Sequence, residues 1–425
     1  MRGMEVKCLY KWGDSGANFA PAWAPISMLD AAKRLIAPSS RSDVPAFMVM
    51  DVMAAAARIE ERGGRVIHME VGQPAAAAPA CAIAAARSAL TTSRLGYTES
   101  LGIPSLRARI ARHYHEQYGV DIDPDRVIVT TGSSAAFALA FLALFEAGDR
   151  VGIAVPGYPP YRHILAALGC RPVLLETTQA TRWSIAPELL LAEHRSEPLK
   201  GIVVASPANP TGTMMTADAL RTLVATAESE GIAFISDEIY HGLNYAFPAE
   251  TAVKLSDNAI AINSFSKYFC MTGWRIGWMV VPPSLVRAVD RLQGNLAISV
   301  PTLSQVAAEA AFDAHAELEA VKHEYEENRR VLLGGLPKAG LDRMLPVDGA
   351  FYLYADVSRF SDDSLGFAKR LLAETHVAVT PGADFDPVNG HRFIRLCYAG
   401  SREDMHEAIA RMGDWFNQNA DTSPR

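Results

Sequence analysis

The chain has 425 residues, 49% hydrophobic and 20% charged, which is ordinary globular usage and excludes a disordered chain. Forty Lys and Arg against 47 Asp and Glu leave a net charge of −7, so a nucleic-acid partner, which demands a basic surface, is not expected. The five cysteines are odd in number and none stands at metal-finger spacing, which points away from a disulfide framework or a zinc site and toward a reducing, cytoplasmic setting. The longest apolar run, 135–145, is too short for a membrane span.

Residues 1–41 read as an N-terminal extension: they mix Lys, Arg and Ser with acids and carry no apolar secretion segment. Gly13-Asp14-Ser15-Gly16 looks like a serine-nucleophile turn, but nothing nearby supplies a base or an orienting acid. The spacing then predicts a helix over 51–62, stopped at Gly63-Gly64, a short strand over 66–71, and an amphipathic helix over 105–118. His113 and His115 point to different faces of that helix, so they read as solvated rather than as a metal pair. No metal site is expected.

From residue 127 the pattern becomes regular. Strands are predicted at 127–131, 151–155, 202–205, 232–236, 259–263 and 275–281, with an apolar helix at 134–145. Short β-branched runs between helical stretches predict an α/β domain with a mainly parallel sheet, whose ligands sit beyond the carboxyl ends of the strands. After residue 300 the pattern changes: one long helix over 303–333, strands at 349–356 and 391–398, helices at 367–374 and 402–417. These predict a smaller α+β domain. The expected division is an extension at 1–41, a small domain from 42–73 and 305–425, and a large domain at 74–304.

The segment 263–277 carries the most chemistry. Ser264, Ser266 and Lys267 follow a strand, and Arg275 stands eight residues on. Two hydroxyls and a guanidinium suit a phosphate, and an amine beside them suits a Schiff base to pyridoxal phosphate. Here the sequence resembles the fold-type I pyridoxal-phosphate enzymes, specifically the class I/II aminotransferases of the aspartate and aromatic type. The resemblance covers about 42–417 and rests on motifs that follow in the family's order. It implies that Lys267 carries the aldimine and that Ser264, Ser266 and Arg275 hold the phosphate.

By the same resemblance, Asn209 in Pro207-Ala208-Asn209-Pro210 donates to the cofactor's phenolic oxygen, shared with Tyr240, and touches substrate. Asp237 pairs with the pyridine nitrogen, where a carboxylate keeps the ring an electron sink. Ser133 and Ser134, at a strand-to-helix turn, supply the first phosphate loop. Tyr158 stacks on the ring, with Tyr161 as its rival. Arg395 grips the substrate carboxylate with a planar fork that lysine lacks, and Gly72 approaches that carboxylate through its backbone. Tyr97 matches a tyrosine that reaches the neighbouring subunit's phosphate, which implies a homodimer with shared sites.

The implied activity moves an amino group between an L-amino acid and a 2-oxo acid. Lys267 serves as the base, with Asp237 and Tyr240 beside it. A carbon–sulfur β-lyase of the same fold is the alternative. The side-chain pocket is expected from Phe47, Met48, Met50 and residues 295–298, whose apolar lean favours a neutral or aromatic substrate. Arg291 remains open as a second cation for a dicarboxylate.

Overall fold

The structure is a computed structural model and describes residues 37–46 and 48–419. The chain divides between Asp43 and Val44. Before the division, the described part is a single 3-10 turn, Ser40–Ser42, capped by the Ser39 hydroxyl. The turn at 13–16 and Phe47 lie outside the described residues.

Beyond the division the strands are β1 (Ile67–His68), β2 (Val127–Thr130), β3 (Arg150–Val155), β4 (Arg171–Glu176), β5 (Gly201–Ala205) and β6 (Ala233–Asp237). They continue as β7 (Ile260–Ser264), β8 (Gly277–Val280), β9 (Tyr352–Asp356), β10 (Val377–Ala378), β11 (Thr380–Pro381) and β12 (Phe393–Cys397). Seven form one sheet in the order β2-β8-β7-β6-β5-β3-β4. All its neighbours run parallel except β8, which is antiparallel to both β2 and β7. Every residue of β2, β7 and β8 is buried, as expected of a sheet covered by helices on both faces. The antiparallel sense of β8 matters for function: it starts at the edge where its neighbours finish.

The strand expected over 66–71 narrows to β1, which pairs in parallel with β10 and so joins the chain's beginning to its C-terminal part. There β11, β12 and β9 form an antiparallel sheet. It packs on a core that includes Leu332, Phe351, Ile394, Met405 and Trp415. β4 was not predicted. It is an edge strand containing Pro172, a residue that reads as a breaker but is tolerated where no ladder partner is needed.

Two expectations need correction. The single helix over 303–333 is two helices, Thr302–Ala311 and His315–Ala339. On one continuous helix Phe312 and Leu318 would point about 120° apart. The break between them lets both enter the same core. His113 is half-buried rather than freely solvated, unlike exposed His115: its ring packs 5.2 Å from Phe312 and 6.3 Å from Phe269 and Trp278, and burial pushes it down to about 3. Among the described residues, no helix is long and apolar enough to cross a membrane.

Candidate active site

The carboxyl ends of β5, β6 and β7 lie side by side, with Ala205 opposite Asp237 and Asp237 opposite Ile262. At the same edge Gly277, the first residue of β8, stands between Thr130 and Ser264. Arg275, two residues earlier, therefore meets the turn after β2. A cavity of about 210 Å³ opens here, bordered by Gly72, Ser133, Ser134, Tyr158, Asn209, Tyr240, Ser266, Lys267, Arg275 and Arg395. A larger cavity of about 440 Å³ opens beside Arg109, His113 and His241, away from all of these.

Lys267 stands three residues after the end of β7. Its Nζ donates to the Gly72 carbonyl at 2.6 Å and stands 5.9 Å from the ring centres of Tyr240 and Phe351. Burial lowers the amine to about 8, with Arg395 and Arg275 pushing the same way and Asp237 opposing. Asp237 ends β6 and is 3% exposed. Its carboxylate accepts from the Tyr161 hydroxyl and, at 3.1 Å, from the Ile239 N–H. Burial raises it to about 6; those two donors and Lys267 pull it down. Tyr161 thus holds Asp237, while Tyr158 borders the cavity. Burial raises the Tyr158 hydroxyl to about 12.

Arg395 sits in β12, 3% exposed. Its guanidinium lies between the rings of Tyr352, at 4.4 Å, and Phe385, at 4.8 Å. It donates to Asn209 Oδ1 at 2.9 Å, to Thr380 Oγ1 at 3.1 Å and to the Glu70 carbonyl, while Nε is buried without a partner. Arginine can only donate, so the Asn209 atom facing it is the oxygen, and the Asn209 amide N–H₂ is turned elsewhere. Tyr240 is buried and its hydroxyl meets Tyr352 Oη at 2.7 Å. Lys267, Arg275 and Arg395 thus put three cationic side chains around one small space, a setting for a ligand with more than one negative group.

The sequence of the chain has relatives. Residues 65–412 match the profile of aminotransferase class I and II. The chain belongs to the class I and II aminotransferase family. The valine–pyruvate aminotransferase of Mycobacterium tuberculosis is 49% identical over 380 residues, covering 88% of this chain and 97% of the relative. A crystal structure of an aminotransferase from Mycobacterium tuberculosis superposes with a TM-score of 0.87 at 48% identity, over 90% of this chain and 99% of that one. Aspartate aminotransferase from Thermus thermophilus with maleate gives 0.83 at 30% identity, over 89% and 99%. The fold is that of the fold-type I aminotransferases, and the activity is pyridoxal-phosphate-dependent transamination.

The cavity suits that cofactor. Gly132 has φ +76°, and a Cβ there would lie 2.5 Å from Arg275 Nη2. Only glycine lets the guanidinium lie against the first turn of the helix Gly132–Leu144. The Thr131 side chain does not cap that helix, so its leading N–H groups remain for an anion beside Ser133, Ser134, Ser266 and Arg275. Asp237, the acid expected at the ring nitrogen, is buried and does not itself border the cavity, while its neighbours Ile239 and Tyr240 do.

Other expected residues stand apart. Ser264 does not border the cavity: its hydroxyl accepts from the Ser266 N–H at 3.1 Å and lies 3.1 Å from the Ile276 carbonyl, so it braces Ser266. Tyr97 is 82% exposed, next to a surface depression with Ser299 and Val300. Residues 295–298 and Arg291 are also outside the cavity. Of the predicted wall, Met50 is present, joined by Val49 and Met53. Sequence reasoning missed Tyr352, Glu70 and Asp384, which carry no local motif.

Proposed function

We propose that the chain transfers the amino group of a neutral aliphatic L-amino acid to a 2-oxo acid, with Lys267 as covalent anchor and base. The observation that carries this reading is the convergence of the Lys267 amine and the aromatic-clamped Arg395 fork on one cavity walled by Val49, Met50 and Met53. The apolar wall suits a hydrocarbon side chain, and the 49% identical relative bears the name of a valine–pyruvate enzyme.

Bound pyridoxal phosphate supplies the carbonyl that captures the amino group and a ring that takes up the electron pair from the substrate's α-carbon. Ser133, Ser134, Ser266, Arg275 and the helix N-terminus hold its phosphate, with Ser264 bracing Ser266. Asp237 holds a proton at the ring nitrogen, Tyr158 covers the ring, and Asn209 and Tyr240 serve its phenolic oxygen. Arg395 orients the substrate carboxylate through two parallel N–H groups, with the Gly72 backbone alongside. Lys267 Nζ takes the proton from the α-carbon; its lowered affinity for protons keeps a larger neutral fraction near pH 7 than a free lysine has.

The working unit is a homodimer in this reading. Tyr97 and Ile298 are exposed, and the segments that carry them are tied by the Thr98 N–H to Ser299 Oγ at 3.4 Å; the reading has this exposed Tyr97 reach the second copy's phosphate. The parallel pairing of β1 with β10 supports a small domain of 42–73 and 305–425 on a large domain of 74–304. Four free cysteines among the described residues suit the cytoplasm.

The test is to add single amino acids to holoenzyme without an oxo acid. One bleaching of the cofactor band, with one 2-oxo acid formed per site, is the expected result. A band that recovers while pyruvate and ammonia accumulate would mean a lyase. Fast turnover of aspartate with none of valine would overturn the substrate class.

A further inference from the structure

Asp384 is buried, 1% exposed, at the end of the 3-10 turn Gly382–Asp384. A carboxylate removed from water must find donors. Here Oδ1 accepts from the Met48 N–H and Oδ2 from the Val49 N–H, each at 3.3 Å. These N–H groups open the helix Met48–Glu60, and a helix's first N–H groups have no partner inside the helix. Such a cap normally comes from a residue next to the helix; this one comes from 336 positions away along the chain. The carboxylate's charge also favours the positive end of the helix dipole.

The turn that carries Asp384 is itself tied down. Arg162 Nη2 donates to the Asp384 carbonyl at 2.6 Å, and the Gly157 N–H donates to the Phe385 carbonyl at 3.1 Å. Phe385, the next residue, packs its ring on the Arg395 guanidinium. One short turn therefore bears on both ends of the amino-acid site. It seats the arginine assigned to the carboxylate, and it anchors the helix whose Val49, Met50 and Met53 form the side-chain wall.

We infer that Asp384 is a specificity-determining positioning residue: it latches the helix Met48–Glu60 over the site and so sets the depth of the pocket for the substrate side chain. Asp384 touches no reacting atom. It acts by keeping the apolar wall at a fixed distance from Arg395. This rests on the substrate reading above, so the experiment has two independent arms.

The first arm uses holoenzyme without substrate and measures hydrogen exchange over Met48–Glu60 by mass spectrometry. Asp384→Ala should exchange faster there and at the wild-type rate in the large-sheet helices; unchanged exchange over Met48–Glu60 would overturn the latch. The second arm compares kcat/KM for valine and for alanine, which differ in the side chain alone. The variant's valine-to-alanine ratio should fall by about tenfold, the size of a lost hydrocarbon contact. An unchanged ratio despite faster exchange would overturn the specificity role. Asp384→Asn, which keeps the shape and one acceptor oxygen, should fall between, and it carries the test if the alanine variant does not fold. Met50→Ala with Met53→Ala should lower the ratio without changing exchange; a ratio that holds would show the wall lies elsewhere and overturn the proposal. If wild-type enzyme itself does not prefer valine to alanine, the substrate reading fails together with the specificity role, while the exchange arm still decides the latch.

Discussion

The most exposed consequence of the site's electrostatics concerns the apoenzyme. Lys267 is held with its affinity for protons lowered from 10.5 to about 8. At pH 7 the amine is charged, and each unit of lowering is worth about 1.4 kcal/mol, so the charged form costs about 3 kcal/mol relative to water. Replacing it with methionine, of similar length and no charge, removes that cost. It also strips the Gly72 carbonyl of its donor, a loss of about 1 kcal/mol. Lys267→Met apoenzyme should therefore be more stable than wild-type apoenzyme at pH 7 by about 2 kcal/mol, a shift of a few degrees in melting temperature. The sign with pH follows from linkage. Between about 8 and 10.5 the unfolded lysine binds a proton that the folded one lacks, so wild-type stability rises with pH through that window. The variant's advantage is complete below about 8 and gone by 10.5. The assay is thermal unfolding of both cofactor-stripped proteins at one subunit concentration, since dimerisation shifts the midpoint. A variant that melts below wild type at pH 7, or an advantage that does not change between pH 7 and 10.5, would refute the reasoning.

Tyr161→Phe removes a donor from ionised Asp237, so its carboxyl should rise further above about 6; the acid limb of the pH–rate profile moves to higher pH, and an unmoved limb would make Tyr161 a packing residue only. Arg395→Lys keeps the charge and loses the planar fork between Tyr352 and Phe385, so KM for the amino donor should rise by about tenfold or more; steady-state kinetics with an unchanged KM would remove Arg395 from carboxylate binding. Gly132→Ala forces a Cβ to 2.5 Å from Arg275 Nη2 at positive φ, so cofactor titration should show weakened binding, while wild-type affinity would mean the Arg275 cradle is not the phosphate site. His68 bridges Glu60 at 3.1 Å and buried Glu70 at 2.8 Å and is raised to about 9, so its stabilisation is complete below 6.5 and lost as pH rises through 9. The melting deficit of His68→Ala should shrink across that window, and a constant deficit would contradict the pairing.

The residues legible in the sequence share a physical setting. Ser133, Asn209, Asp237, Ser266 and Lys267 all lie within a few residues of the end of a buried strand, and an open sheet gathers such ends at one edge. A run of β-branched residues announces the strand, and the polar residue after it is conspicuous by contrast. Elements without that contrast were missed. β4 hides behind Pro172, and the helices Ala80–Thr92, Pro159–Ala167, Pro187–Ser196, Ala217–Ser229 and Pro283–Ala297 lack a strand-like pattern to announce them. The break at 312–314 has no glycine or proline to mark it; core packing imposes it.

What the sequence hid is the support behind the site. The Tyr161–Asp237 contact spans 76 positions, the Thr380 contact to the Glu70 carbonyl 310, and the Asp384 contact to Val49 335. No periodicity links residues that far apart, since only the closed fold makes them neighbours. Gly72 shows the difference in one residue. Its place in the chain marked it as close to substrate, yet the reason a side chain is excluded there is Tyr352, whose Oη would stand 2.0 Å from a Cβ. Tyr352 also touches Tyr240 and lies against the Arg395 guanidinium, so the position that demands a glycine is the one where the carbonyl that accepts from Lys267, the Tyr240–Tyr352 hydroxyl pair and the Arg395 guanidinium pack together. A motif reports that such a position is constrained. The constraint itself is a contact between distant segments, and it becomes visible only when β9 and β12 are laid against the turn after β1.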